Sequence, residues 1–115
     1  MKKAFLLINI FLYSNSIMAN TLCRHLGEYT YIGQGLNVKN WGDDTFYSIG
    51  KFCSIADNLT IFLGGNHRVD WISTYPFPAF TNQFPEAQGI KEFAVSKGNV
   101  RIGNDVWIGS HVTIL

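Results

Sequence analysis

The sequence predicts an all-β solenoid of stacked six-residue units, a parallel β-helix, and three short blocks predict it. In IGNDVWIGSHVTIL, Ile102, Ile108 and Ile114 fall six apart, with Gly103 and Gly109 directly behind the first two. LGEYTYIGQGLNV repeats the pattern through Leu26, Ile32 and Val38, and IGKFCSIADNLTI repeats it through Ile49, Ile55 and Ile61. Neither an α-helix nor a flat strand has a period of six. Fixed-period self-similarity marks a solenoid, in which each short unit buries its apolar side only against its neighbours. The competing reading is ordinary hydrophobic alternation in a β-sandwich. It gives no reason for the small residue behind the first two aliphatic leads of every block, at Gly27, Gly33, Gly50, Ala56, Gly103 and Gly109.

Taken in order, residues 1 to 19 open with Lys2 and Lys3, continue through an apolar run from Ala4 to Tyr13 and end in small or polar residues at Ala19. That is the layout of a secretory signal, and the run is too short to span a bilayer. The alternative is an apolar N-terminal segment that shields the first open coil. Cleavage after Ala19 would move the net charge from +1 to about −1. Residues 20 to 115 form the repeat domain. The first block, Leu26 to Val38, yields an inward contact at the fifth place of each unit, Thr30 and Leu36, and the second block does the same with Cys53 and Leu59. Between them the count of six breaks, so a short polar loop is inserted, with Trp41 and Phe46 packing over the adjacent rung.

After Ile61 the rhythm stops, and it resumes only at Ile102. The excursion, residues 62 to 101, contains all three prolines and the aromatic residues Phe62, Trp71, Tyr75, Phe77, Phe80, Phe84 and Phe93. So long a departure from a compact repeat is uncommon unless it has a role, because its ordering must be offset by contacts. An excursion this apolar is expected to fold over its own solenoid or to clasp a neighbouring subunit, and either arrangement can wall a pocket.

Composition narrows the partners. The net charge of +1 and the absence of any Lys or Arg run leave a nucleic-acid partner unsupported. Two cysteines, Cys23 and Cys53, exclude a dense disulfide framework, although one bridge stays open for an exported chain. Cys53 falls at an inward place and reads as core. Neither cysteine has a near partner, and His25, His67 and His111 are far apart, so no metal site is expected.

His67 is the titratable group placed where chemistry is expected, at the point where the chain leaves the coil. Gly64 and Gly65 ahead of it permit a sharp turn with positive φ, and a neutral imidazole can take a proton from a hydroxyl near neutral pH. Asp70, three residues on, is a candidate to orient or charge-stabilise that ring. On spacing alone a structural, hydrogen-bonding histidine is the commoner reading. His25 precedes the repeat and His111 falls at an outward corner, so both are read as inert.

The three motifs in sequence, IGKFCSI, then GGNHRVDWISTYPFPAF, then IGNDVWIG, resemble the xenobiotic O-acetyltransferases. These are left-handed parallel β-helix enzymes of the hexapeptide-repeat class that acetylate streptogramin A antibiotics and chloramphenicol, and so confer antibiotic resistance. The likeness covers about Leu26 to Leu115. It implies acetyl transfer from acetyl-coenzyme A to a hydroxyl of a small hydrophobic acceptor, with His67 as the general base. It further implies that Trp107 lies along the acetyl-coenzyme A channel, that Tyr31 helps line the acceptor pocket, and that the molecule is a homotrimer with its site between subunits. Asp70, from its place beside His67, is a further candidate for acceptor binding.

The resemblance also implies further coils and a C-terminal helical segment, so this chain is expected to be an incomplete copy, cut in mid-repeat. Acetyl-coenzyme A is a cytoplasmic metabolite, which opposes the export that residues 1 to 19 suggest. Two other functions stay open: a catalytically inactive repeat module that binds or assembles through its aromatic excursion, and a sugar-hydroxyl acetyltransferase. The apolar excursion favours a drug-like acceptor over a sugar.

Overall fold

The computed structural model describes residues 22–41 and 44–115; the signal-like stretch 1 to 19 lies outside them. Each of the three blocks closes one coil of three short strands. The first coil comprises β1 (Cys23–Leu26), β2 (Tyr31–Ile32) and β3 (Asn37–Asn40). The second comprises β4 (Tyr47–Ile49), β5 (Ser54–Ile55) and β6 (Thr60–Leu63), and the third β9 (Val100–Ile102), β10 (Trp107–Ile108) and β11 (Thr113–Ile114). Equivalent strands stack in parallel, so three flat faces enclose one interior. The first face is β1-β4-β9, the second β2-β5-β10 and the third β3-β6-β11. This is the all-β parallel β-helix that the hexapeptide period predicts, consistent with the left-handed form that the resemblance implies.

The aliphatic leads align in rungs. Leu26, Ile49 and Ile102 stack on the first face, Ile32, Ile55 and Ile108 on the second, and Val38, Ile61 and Ile114 on the third. Ile49, Ile55 and Ile61 of the central coil are wholly buried, as are Cys53 and Leu59 from its fifth places. Burying each such side chain stabilises the fold by about 2 kcal/mol, and here each gains its cover from the coils on either side.

Polar atoms at the inward fifth places are satisfied along the same axis. The Thr30 hydroxyl donates to the Gly50 carbonyl at 2.6 Å and accepts the Cys53 N–H at 3.0 Å. One coil further on, the Cys53 thiol repeats the first of these contacts by donating to the Gly103 carbonyl at 3.1 Å. Cys53 therefore serves as core, and both Cys23 and Cys53 are free thiols. Cys23 faces Tyr47, whose phenol burial pushes well above its ordinary pKa, with the nearby thiol adding to the shift.

The corners explain why six residues suffice for one side of the triangle. The fourth residue of each unit turns the chain with positive φ: Tyr29, Phe52 and Asp105 at one corner, Gly35, Asn58 and His111 at the next. Side chains seldom tolerate this region, and hydrogen bonds hold them there. Phe52, Asn58, Asp105 and His111 each donate their N–H to the carbonyl of Glu28, Gln34, Lys51 and Asp57 respectively, in the coil below. Tyr29 and Phe52 stack their rings at 5.3 Å with planes 3° apart.

The regular coil runs through Leu63 and resumes at Val100. Between these points the chain forms a neck, where β7 (Asn66–His67) pairs antiparallel with β8 (Ala94–Val95). Beyond the neck lie two short 3-10 turns, Phe77–Phe80 and Pro85–Ala87. Among the described residues, none from 64 to 99 joins the core of the coil. The aromatic residues of the excursion pack on one another instead: Tyr75 meets Phe77 at 4.7 Å and Phe80 at 5.8 Å, and Phe84 meets Phe77 edge-on at 4.9 Å.

Candidate active site

The base of the excursion gives His67 a fixed place. Gly64 and Gly65 both have positive φ, at +126° and +72°. At Gly65 a side chain is also excluded by space, since a Cβ there would lie 2.8 Å from the Trp41 ring, which stacks on Phe62. The chain thus turns away from the third face under a fixed aromatic cover, then enters β7. His67 pairs with Ala94 across the neck, and the ladder is extended by the Arg68 N–H donating to the Phe93 carbonyl at 3.2 Å.

The imidazole is oriented by backbone. Its Nδ1 lies 2.7 Å from the Thr74 carbonyl oxygen, and a carbonyl can only accept, so Nδ1 carries the proton. The neutral ring then has its lone pair on Nε2, the tautomer a general base requires. Phe93 meets the ring edge-on at 6.5 Å, and His67 itself is exposed.

Asp70 faces elsewhere. Its carboxylate takes a two-pronged contact from Arg68, with Nε donating to Oδ1 at 2.7 Å and Nη2 to Oδ2. This hydrogen bonding holds the Asp70 carboxyl below its ordinary pKa and raises that of Arg68. The guanidinium also lies over the Trp71 ring, 5.5 Å from its centroid. Orientation of the His67 ring therefore comes from Thr74, and Asp70 pairs with Arg68 instead. Sequence reading missed both partners. Arg68 was recoverable from its opposite charge two residues before Asp70, but Thr74 acts through its carbonyl, which leaves no trace in residue type.

Tyr31 and Trp107 do come together. Both occupy the outward place of the second face, in register through Ser54, so that Tyr31, Ser54 and Trp107 form one column. Tyr31 is 57% exposed and Trp107 81% exposed, which leaves two aromatic surfaces open about two strand spacings apart. His67 does not join them within one chain. The neck leaves from the corner between the third and first faces, and the second face lies opposite that corner.

No protein-family model matches the chain. Curated proteins do. A probable macrolide acetyltransferase of Lysinibacillus sphaericus is 47% identical over 68 residues, 58% of this chain and 38% of its own length. Chloramphenicol acetyltransferases of Agrobacterium fabrum and Klebsiella aerogenes are 44% and 40% identical over 69 and 75 residues, each match covering 32% of the relative. The chain thus spans about a third of the length of the curated relatives it matches. Over the matched part of its length, the chain is similar to proteins named as macrolide and chloramphenicol acetyltransferases.

Proposed function

We propose that the chain acts in an acetyl-coenzyme A-dependent O-acetyltransferase whose acceptor is a hydroxyl on a small hydrophobic xenobiotic, with chloramphenicol and streptogramin A antibiotics as the model acceptors. The supporting observation is the His67 ring, whose Nδ1 is committed to the Thr74 carbonyl at 2.7 Å while the ring stays exposed. Relatives named for chloramphenicol and macrolide acetylation favour an antibiotic hydroxyl over a sugar.

In this reading Nε2 of His67 takes the proton of the acceptor hydroxyl as its oxygen attacks the acetyl carbonyl. The Thr74 carbonyl holds the ring while positive charge develops on it. The ring then returns the proton to the departing thiolate, so no covalent acyl-enzyme is required. The thioester supplies an activated acyl carbon, and the rest of the rate comes from holding two substrates in line. Trp107 and Tyr31 offer the aromatic surface: Trp107 toward the pantetheine arm, Tyr31 toward the acceptor. Asp70 serves the acceptor side indirectly, by fixing the turn beside His67.

A homotrimer with its site between adjacent subunits belongs to the same proposal. The neck histidine and the Tyr31–Trp107 column lie on opposite sides of one chain, so a shared site needs the second face of a neighbouring copy. The excursion leaves Phe77 and Phe80 38% and 42% exposed, apolar surface that a neighbour would cover.

Thiol release from acetyl-coenzyme A in the presence of chloramphenicol or a streptogramin A tests the reading. Turnover should fall by about 10²–10⁴-fold in His67→Ala. Unchanged turnover in that variant removes the general base. A folded trimer with no turnover on any acceptor leaves the inactive binding module, and turnover on sugars alone leaves the sugar-hydroxyl acetyltransferase.

A further inference from the structure

The outer surface of the first face carries a second constellation, remote from the Tyr31–Trp107 column. The ladder between β1 and β4 is irregular: Cys23 pairs with Tyr47 and His25 with Ser48, so Arg24 is an extra residue. Such a bulge re-aims side chains, and here it leaves Arg24 and His25 exposed side by side. In β9, Arg101 is in register with Ser48. Across this rung the outward groups are an imidazole, a hydroxyl and a guanidinium, spread over about 10 Å.

Phe46 sits between the two arginines. The Arg24 and Arg101 guanidinium carbons are 5.5 and 5.2 Å from its ring centroid. Its own backbone is pinned by its N–H donating to Asn99 Oδ1 at 2.9 Å. A guanidinium resting on an aromatic ring keeps its in-plane N–H donors available, and the ring cancels none of its charge. Among the described residues, the one carboxylate that pairs with either arginine, that of Asp44, is fully exposed with Oδ1 4.0 Å from Arg24 Nη2, a pair that water screens strongly. Among the described residues Arg101 makes no ion pair. Two guanidiniums thus share one ring beside the rung that carries Ser48, and among the described residues the exposed, screened Asp44 is the counter-charge they have.

We propose that this face binds a phosphate group of a small-molecule ligand, with Arg24 and Arg101 donating in forked pairs and Ser48 and His25 completing the cradle. Planar guanidiniums match the oxygen spacing of a phosphate, and pre-stacked ones lose less freedom on binding. The site makes no use of His67 and stands whether or not the chain transfers acetyl groups.

The full chain, isotopically labelled, would be titrated with inorganic phosphate and separately with adenosine 3′,5′-bisphosphate while the arginine Nε–H and Ser48 amide resonances are followed. Saturable shifts at Arg24, Arg101 and Ser48 are expected, weakened about tenfold in Arg101→Gln and weakened again by added salt. Lys97→Gln, a change at an exposed cation in the excursion, should leave binding as it was. Tighter binding of the bisphosphate assigns a nucleotide-bearing ligand, and equal binding assigns free phosphate. Should Arg101→Gln fail to fold, Arg101→Lys keeps the charge, loses the fork, and should retain only part of the affinity. No saturable shift up to about 10 mM of either probe, or binding indifferent to both Arg101 variants, overturns the proposal.

Discussion

The coil and the excursion solve the same problem, the covering of apolar side chains, in opposite ways. In the coil each inward residue is covered by its own equivalent one turn above and below, so Ile55 sits between Ile32 and Ile108 and is wholly buried. In the excursion no such equivalents exist, and Tyr75, Phe77, Phe80 and Phe84 cover one another while staying part exposed. Repetition gives rigidity without versatility, and the excursion reverses that exchange. His67 lies at the junction: its strand begins three residues after the last buried residue of β6, and its ring is aimed by Thr74 of the excursion. A reactive group there has a firm base and an accessible front.

The sharpest way to break the coil without touching the neck is Gly50→Val. A Cβ at Gly50 would lie 2.5 Å from the Gly103 carbonyl oxygen and 2.6 Å from its carbon, backbone atoms that cannot move aside singly. The third coil should come away from the second, and the expected outcome is loss of the cooperative thermal transition with the far-ultraviolet strand signal reduced. A variant that melts like the parent would show that the coils are not held at this spacing. Ile55→Ala is the next step down. It removes buried methyl groups at the centre of the stack and should cost about 2–5 kcal/mol in denaturant unfolding. The neck would remain, so any turnover measured below the new midpoint should persist, in contrast to His67→Ala, which should spare stability and remove turnover.

The difference between the two regions also decides what could be read from the chain. Leu26, Ile49 and Ile102 announce themselves because the solenoid imposes a period, and a period is visible without coordinates. The rungs, the inward Cys53 and the outward corner of His111 were all legible for that reason. The position of His67 at the exit was legible too, but its tautomer was not, because the partner is a carbonyl seven residues away whose side chain is irrelevant. Asp70 misled for a related cause. Its proximity in sequence suggested a partner for His67, whereas Arg68 offers two aligned donors and a full charge, a far better match for a carboxylate than one imidazole N–H. The bulge at Arg24 was hidden because one extra residue before the first repeat leaves the later count of six intact.

The smallest expected effect concerns that pair and acts on the excursion alone. Hydrogen bonding from Arg68 lowers the pKa of Asp70 in the folded chain, so the pair favours the folded neck at pH values above the ordinary carboxylate range. That contribution is lost as the pH falls through the lowered folded value, when the carboxyl takes a proton and the forked contact weakens. Both side chains are at the surface, so the loss should be modest and salt should reduce it. Amide exchange of Arg68, whose N–H donates to Phe93 across the neck, reports it directly. After correction for intrinsic exchange, protection there should decline on acidification while that of Ile55 in the coil holds. Asp70→Asn should show the lower protection already at neutral pH. Equal protection at Arg68 in parent and variant at neutral pH would mean that the β7–β8 ladder holds the neck unaided, and that the Arg68–Asp70 clip contributes nothing to where His67 stands.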